Sequence, residues 1–334
     1  MTARKDLKKH IRARQEKTGE SYTAARAHFL RCRDAEIAVP APRTDRITAI
    51  VLKTTMQSIR VRIPGEEVSI TLRTSGWDAM RVVPGQFVEV TLTKRWTWRE
   101  DAYASGTLER IWTDVPALGL EPLPLADLGV TDLSRYEPFT PPEPYAEMWE
   151  FFASTPRRAF EFHEIAWGAG VGTDPGDPDD CLIAHAAEIS DENPDEAREV
   201  LMKALLADLR CIDAHVHLGN LVFDHDPKDA IRHYEIAVGI GELSLGPNFE
   251  GMLLWGHLYN RPFLRALHSF GLCLWRLGQV DKARRVFERL LALNPPDNQG
   301  VRSCWDDIRN GLPWDPDRDP DHALTTGESP QLQA

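Results

Sequence analysis

Residues 264–297 read LRALHSFGLCLWRLGQVDKARRVFERLLALNPPD, and this stretch decides the fold of the C-terminal part. Apolar residues recur at helical spacing on both sides of Gly278-Gln279, which predicts two helices joined by a tight turn. Gly271 and Ala283 are small residues, one on each helix, and we expect the two helices to approach closely there. Pro295 ends the second helix because proline cannot continue a helix.

A less regular copy of this pattern comes earlier in the chain. Gly219 and Ala230 correspond to Gly271 and Ala283, but their spacing is one residue shorter, which predicts a shorter turn. A third, degenerate copy would use Ala197, which precedes Ala230 by close to one repeat length. About 19 residues are inserted before the last copy, over residues 243–262, and their apolar composition predicts packing against the helices.

The order of these residues resembles the tetratricopeptide repeat, in which an apolar residue, a glycine, an Ala-x-x-x-Phe run and a proline follow one another over about 34 residues. The tryptophan of that pattern is replaced by Leu267. The resemblance covers about residues 181–300 and implies an α-helical solenoid over residues 181–311, whose first helices line a groove for a protein or peptide. Transferred by position, the groove residues would be Asp213, His217, Asn220, Arg265, His268, Trp275 and Arg276. No cofactor is implied.

Residues 46–114 have a different periodicity. Val88, Val90 and Leu92 alternate with polar residues, and similar alternation occurs over residues 58–63 and 67–73, which predicts half-buried antiparallel strands. Five or six short strands in about 70 residues are expected to close into a barrel, because an open sheet would expose unpaired edges. We therefore predict a small antiparallel β-barrel, SH3-like or OB-like.

Three further segments complete a multidomain α+β organisation. Residues 1–39 are predicted to form a basic helical arm, because helix formers dominate and proline first appears at position 40. Residues 115–180 are predicted to be a linker with short helices, since proline and glycine are frequent there. Residues 316–334 are polar and are predicted to be a disordered tail.

Charge is unevenly distributed along the chain, whose net charge is −12. Residues 1–33 contain ten basic and three acidic side chains, a net charge of +7, whereas residues 115–334 carry −19. The strong negative charge of residues 115–334 argues against a protein whose main role is to coat nucleic acid. The five cysteines form no Cys-x-x-Cys pair, so neither a disulfide framework nor a zinc ribbon is expected. No apolar run is long enough to span a membrane and no secretory leader is recognisable, which predicts a cytoplasmic protein of bacterial type with no membrane partner.

An alternative function is RNA or single-stranded DNA binding through residues 1–114. The basic N-terminus would contact phosphates, and exposed aromatic rings beside arginines in the barrel would stack on bases. The residues in question are Trp77, Trp96, Trp98, Tyr103 and Trp112, with Arg95 and Arg99.

A second alternative comes from the run Asp213-Ala214-His215-Val216-His217-Leu218. It resembles the Asp-x-His-x-His-Leu run of metal-dependent amidohydrolases, and the resemblance would assign Asp213, His215 and His217 to a hydrolase metal site. In that family the two histidines project from the end of a β-strand and bind zinc. A helical segment precedes the run here, and on a helix the two histidines lie about 200° apart. We therefore predict no metal site at these residues.

No complete nucleotide-binding or hydrolase motif occurs in the chain. The repeat pattern accordingly favours a non-catalytic scaffold or adaptor that binds a protein or peptide partner, and not an enzyme.

Overall fold

The computed structural model describes residues 45–74, 79–133, 145–153, 156–172 and 181–316. A closed β-barrel is the first folded unit along this part of the chain. Within these ranges, the barrel has five strands, and seven helices lie in the C-terminal half. The predicted helical arm 1–39 and all but the first residue of the predicted tail 316–334 lie outside the described residues.

The barrel has the strand order β1-β2-β3-β5-β4. Strands β1 and β2, β2 and β3, and β4 and β5 pair antiparallel, whereas β3 pairs with β5 in parallel. The prediction of a purely antiparallel barrel is therefore corrected at this one pair, because alternation shows that a strand is half-buried but not which strand lies beside it. The strands are β1 (Asp45–Thr54), β2 (Ser58–Arg62), β3 (Ser69–Arg73), β4 (Phe87–Trp98) and β5 (Asp101–Trp112).

Alternation along the strands marks the barrel core as predicted. Val88, Val90 and Leu92 of β4 point inward and are buried. The alternation at Val88, Val90 and Leu92 covers only the first half of β4, which continues to Trp98 and pairs with β5 through two register shifts. Beyond Leu92, β4 extends as an exposed hairpin. With no buried face there, the sequence loses the alternation that identifies a strand.

Residues 115–180, predicted to be a linker, contain more regular structure than expected. Strand β6 (Leu125–Thr131) pairs antiparallel with β7 (Arg157–Phe162), and helix α1 (Tyr145–Ala153) lies between them in sequence. Several apolar side chains of this segment are buried in the main core, including those of Val115, Leu118, Leu123 and Phe162. The prolines separate these short elements, which is why the composition is typical of a linker.

The helices of the C-terminal half follow one another along the chain. They are α2 (Leu182–Ile189), α3 (Pro194–Ala207), α4 (Ile212–Phe223), α5 (Pro227–Leu245), α6 (Arg261–Arg276), α7 (Val280–Leu293) and α8 (Val301–Arg309). Local chemistry sets two of the helix starts. Asn193 and Asp226 accept hydrogen bonds from backbone N–H groups of the first turns of α3 and α5, and a proline follows each of them.

Each of these helices packs against the next, and α4 also packs against α6. The insertion 243–262 packs against the helices and the small sheet. Met252 and Leu253 are fully buried. The N–H of Met252 donates to the carbonyl of Arg158 (2.8 Å), and the N–H of Leu253 donates to the carbonyl of Leu293 (2.9 Å).

The barrel and the helices share one core within a compact unit, Ile47–Ala334. Ile50 and Phe87 of the barrel belong to the same apolar cluster as the helices. At the edge of this contact the guanidinium of Arg198 donates to Oγ1 of Thr54 (2.7 Å), and Lys53 pairs with Glu199 (2.9 Å). Among the described residues, no helix combines the length and apolar character needed to cross a bilayer.

Candidate functional site on the helical hairpins

Two helical hairpins have the same contact geometry. A Cβ atom placed on Gly271 would lie 2.3 Å from the ring of Phe287, and one placed on Gly219 would lie 2.4 Å from the ring of Tyr234. The spacing from glycine to aromatic ring is one residue shorter in the earlier hairpin. The shorter turn expected for that copy is wrong, because both turns have three residues, and it is the part of the first helix after the glycine that is one residue shorter. Ala230 and Ala283 are fully buried. The four small residues are therefore the points where neighbouring helices touch.

The first helices of the two hairpins, α4 and α6, are parallel neighbours. Arg265 pairs with Asp213, and Arg276 pairs with Asp224 one helix length further on. The two partners are 52 positions apart in each pair, as are Gly219 and Gly271. A constant separation along two helices means that they run in the same direction, so the sequence repeat is also a repeat in space.

Three of the seven residues predicted to line a groove, Asp213, Arg265 and Arg276, make ion pairs at the α4–α6 contact. Asn220 bonds instead to Tyr234 of α5, His268 contacts the ring of Phe287 of α7, and Trp275 contacts Trp314. Asn220 is exposed, and His217, Arg265 and Arg276 are half-buried. The remaining three, Asp213, His268 and Trp275, are at most 5% exposed. The structure thus joins Asp213, His217 and Arg265 at one end, and a groove lined by all seven residues stays a prediction.

At one end, Asp213 is a buried carboxylate held by a cation. Both of its carboxylate oxygens lie 2.7 Å from Nη2 of Arg265. His217 Nε2 lies 4.0 Å from the same carboxylate. Burial lowers the pKa of His217, and the charge of Arg265 lowers it further, while Asp213 opposes the shift. The Arg265 guanidinium also lies over the ring of Trp167 at 5.9 Å, so residues from outside the hairpins cover this end.

At the other end, the last described residues of the chain cover α6. The indole Nε1 of Trp275 donates to the carbonyl of Leu312 (3.2 Å), and its ring contacts that of Trp314 edge to face at 5.5 Å. Arg276 donates to the carbonyls of Phe223 and Asp224, both at 2.8 Å, and so fixes the end of α4. Trp275 and Arg276 therefore hold the helices together at this end.

The two histidines of the hydrolase-like run occupy different surroundings on α4. His215 is fully buried, its Nε2 lies 3.1 Å from the carbonyl of Leu209, and its ring faces that of His233 at 6.4 Å. Burial lowers the pKa of His215 to about 4, so the ring is neutral at pH 7. His217 is partly accessible. The strand from which an amidohydrolase projects both histidines is replaced here by helix α4 (Ile212–Phe223).

The β4–β5 hairpin of the barrel carries a second cluster of predicted residues. The rings of Trp96 and Tyr103 stack at 5.7 Å, and the guanidinium of Arg73 lies over Trp96 at 5.8 Å. Trp98 is 57% exposed and lies under the guanidinium of Arg99 at 4.5 Å. Trp112 stacks on Phe87 instead and lies under Arg110. Of the other predicted residues, Arg95 lies opposite Ala104 in the hairpin and Trp77 is outside the described residues.

An open groove between α5 and α7, with α6 as its floor, was not predicted from the sequence. Its volume is about 280 Å³. Helical spacing gives no sign of this groove, because only the positions of the three helices show that Val238, Phe270 and Val286 remain partly accessible. A larger hollow of about 640 Å³ lies between β7 and residues 245–251.

Comparison with known proteins supports the repeat assignment. The tetratricopeptide repeat family model matches residues 264–297, which in the structure are most of α6, all of α7 and the turn between them. Residues 264–297 are thus a tetratricopeptide repeat, a class of module typical of protein–protein interaction. Neither the curated proteins nor the solved structures yielded a match to the chain.

Proposed function

We propose that this protein is a non-catalytic scaffold that binds a partner protein through a short solenoid formed by residues 181–311. The observation that carries the proposal is the pair of equivalent hairpins, in which Gly271 meets Phe287 and Gly219 meets Tyr234. The parallel arrangement of α4 and α6 extends the equivalence from one hairpin to the next. Stacked hairpins of this kind bury a shared core and leave a continuous surface for binding.

Within this proposal, the α4–α6 surface is the binding surface, and the seven predicted residues have two roles. His217, Asn220, Arg265 and Arg276 are accessible enough to contact a partner. Asp213, His268 and Trp275 lie beneath them and hold the helices in place. The mixture of charges favours a partner with both acidic and basic residues.

Affinity purification from the native host with the full chain, followed by titration of the recovered partner, tests this proposal. We expect Asn220→Arg to lower the affinity for the partner about tenfold, because a long charged side chain would enter the interface. Asn248→Arg makes the same change at another exposed asparagine and is expected to leave the affinity within about twofold.

Unfolding curves of both variants separate affinity from stability, since Asn220 also accepts a hydrogen bond from the hydroxyl of Tyr234 (2.7 Å). The titrations are made at a temperature where both variants are folded. A partner that binds both variants equally, or a substrate turnover with no partner recovered, would contradict the proposal.

A second candidate function is favoured by the barrel. Its strand order β1-β2-β3-β5-β4, with β3 and β5 parallel, supports an OB-like rather than an SH3-like barrel. Barrels of the OB type bind single strands in a positively charged groove lined with aromatic rings. This proposal is supported by the stacked Trp96 and Tyr103, the exposed Trp98 and the two arginines above the tryptophans, which would stack on bases and contact phosphates.

Fluorescence anisotropy with a single-stranded oligonucleotide of about 15 nucleotides tests the barrel. We expect affinity that falls steeply with salt and that weakens about fivefold or more in Trp98→Ala, since one stacked base is worth about 1–3 kcal/mol. Arg99→Ala and Arg309→Ala are a matched pair, because each arginine lies over a tryptophan, at 4.5 and 4.6 Å. Only Arg99→Ala should reduce binding, and no binding at low salt would end this candidate.

A further inference from the structure

The groove between α5 and α7 is apolar at its base. Leu267 and Leu274 of α6 are buried beneath it, and Phe270, Val238 and Val286 are half-buried along its length. Its volume of about 280 Å³ is at the lower limit of the roughly 300–1,000 Å³ of sites for drug-sized molecules. An open, shallow, apolar groove of this size suits a few aliphatic side chains of a peptide.

One edge of the groove is basic. Lys282, Arg285 and Arg289 lie on α7 at positions i, i+3 and i+7, which places them along one face of the helix. Lys282 donates to Oε1 of Gln279 (2.9 Å), a neutral acceptor, and forms no ion pair within the described part of the chain. No carboxylate in the described ranges pairs with Arg285, which is exposed. The α7 edge therefore offers two cations to a ligand in the groove.

The opposite edge, on α5, carries one acidic side chain. Glu242 of α5 binds Arg289, with Nε to Oε1 at 3.1 Å and Nη2 to Oε2 at 3.2 Å. This ion pair joins α5 to α7 at one end of the groove. Glu242 is the one carboxylate among the residues that line the groove, and Arg289 already pairs with it. The charge that remains for a ligand is therefore the positive charge of Lys282 and Arg285 on the α7 edge, which gives a bound acidic peptide a preferred orientation.

We propose that this groove binds an amphipathic α-helical peptide of a partner protein, with aliphatic side chains on one face and acidic side chains on the flank that meets α7. Helices bind in such grooves through apolar anchors at i, i+3 or i+4, and i+7. Opposite charges at the rim orient the helix and exclude basic competitors. The inference rests on the proposed scaffold function but uses a surface separate from the α4–α6 surface.

The test uses the full chain and two labelled helical peptides of about 16 residues, long enough for four turns. Both carry leucines at i, i+4 and i+7; one has glutamates and the other lysines along one flank. We expect the glutamate peptide to bind more tightly. We expect the variant Lys282→Glu/Arg285→Glu to bind the glutamate peptide about tenfold more weakly than the unchanged protein does, and to bind the lysine peptide better than the glutamate peptide. Lys203→Glu/Lys228→Glu makes the same charge change at two exposed lysines elsewhere and should change neither affinity.

Equal binding of both peptides, or an equal loss in the control variant, would overturn the groove assignment. Titration of the partner recovered from the native host separates this inference from the scaffold proposal. If Asn220→Arg lowers the affinity for the partner but Lys282→Glu/Arg285→Glu does not, the scaffold function is supported and the groove is not the binding site. The reverse result supports the groove and removes the α4–α6 surface from the proposed function.

Discussion

Gly271→Val is expected to lower the free energy of unfolding by about 3 kcal/mol, because overpacking at a helix contact forces the helices apart or the aromatic ring out of its place. Even the first added carbon would lie 2.3 Å from the Phe287 ring, well inside van der Waals contact. Denaturant unfolding followed by circular dichroism measures the loss as a lower midpoint with an unchanged slope.

Two controls make this result specific to the hairpin contact. In the Phe287→Leu background, Gly271→Val should cost only about 1 kcal/mol more, because the ring that the new methyl groups would meet is gone. Gly256→Val places the same side chain where no atom lies within 4 Å and should change stability by about 0.5 kcal/mol or less. An equal loss in both Phe287 backgrounds would mean that Gly271 is not a point of contact.

The hairpins could be predicted because their determinants are local in sequence. The glycine, the alanine and the proline of residues 264–297 lie within one repeat, and each acts on the helix that carries it or on the next helix. The barrel strands were predictable for a similar reason, since alternation within a strand reports its own burial. The insertion 243–262 was expected to pack against helices, and Leu253 does bond to the end of α7.

Pairings between distant segments could not be predicted in the same way. Nothing in β3 or β5 alone shows that they are parallel neighbours, because their partner depends on how the chain crosses the barrel. Strands β6 and β7 are separated by residues 132–156, which include several prolines, and each strand is too short to stand out from a linker. Met252 pairs with β7 although four helices lie between them in the sequence.

The candidate site could likewise be predicted only in part. The positions on α4 and α6 followed from the repeat phase, and the structure pairs Asp213 with Arg265 across the two helices. Their burial did not follow, because Trp314 and Trp167 reach them from segments outside the repeats. The groove lined by Arg285 and Val286 could not be predicted, because an apolar stripe on a helix does not show which part of it a neighbouring helix leaves uncovered.

Arg265→Met is expected to destabilise the protein by about 3 kcal/mol at pH 7, because it leaves the Asp213 carboxylate buried without its partner. The side chain of Asp213 is 2% exposed, so water cannot replace the lost cation. Denaturant unfolding curves of the variant and of the unchanged protein at pH 7 measure the loss.

The double variant Arg265→Met/Asp213→Leu should regain most of the lost stability, because an apolar pair of similar volume can replace a buried ion pair at little cost. A loss below about 1 kcal/mol in Arg265→Met would instead mean that the pair does not hold α4 to α6. Partner affinity, measured on the stable double variant, then separates packing from binding. An unchanged affinity assigns Arg265 to helix packing alone, whereas a tenfold loss at full stability assigns its guanidinium to the surface that the partner contacts.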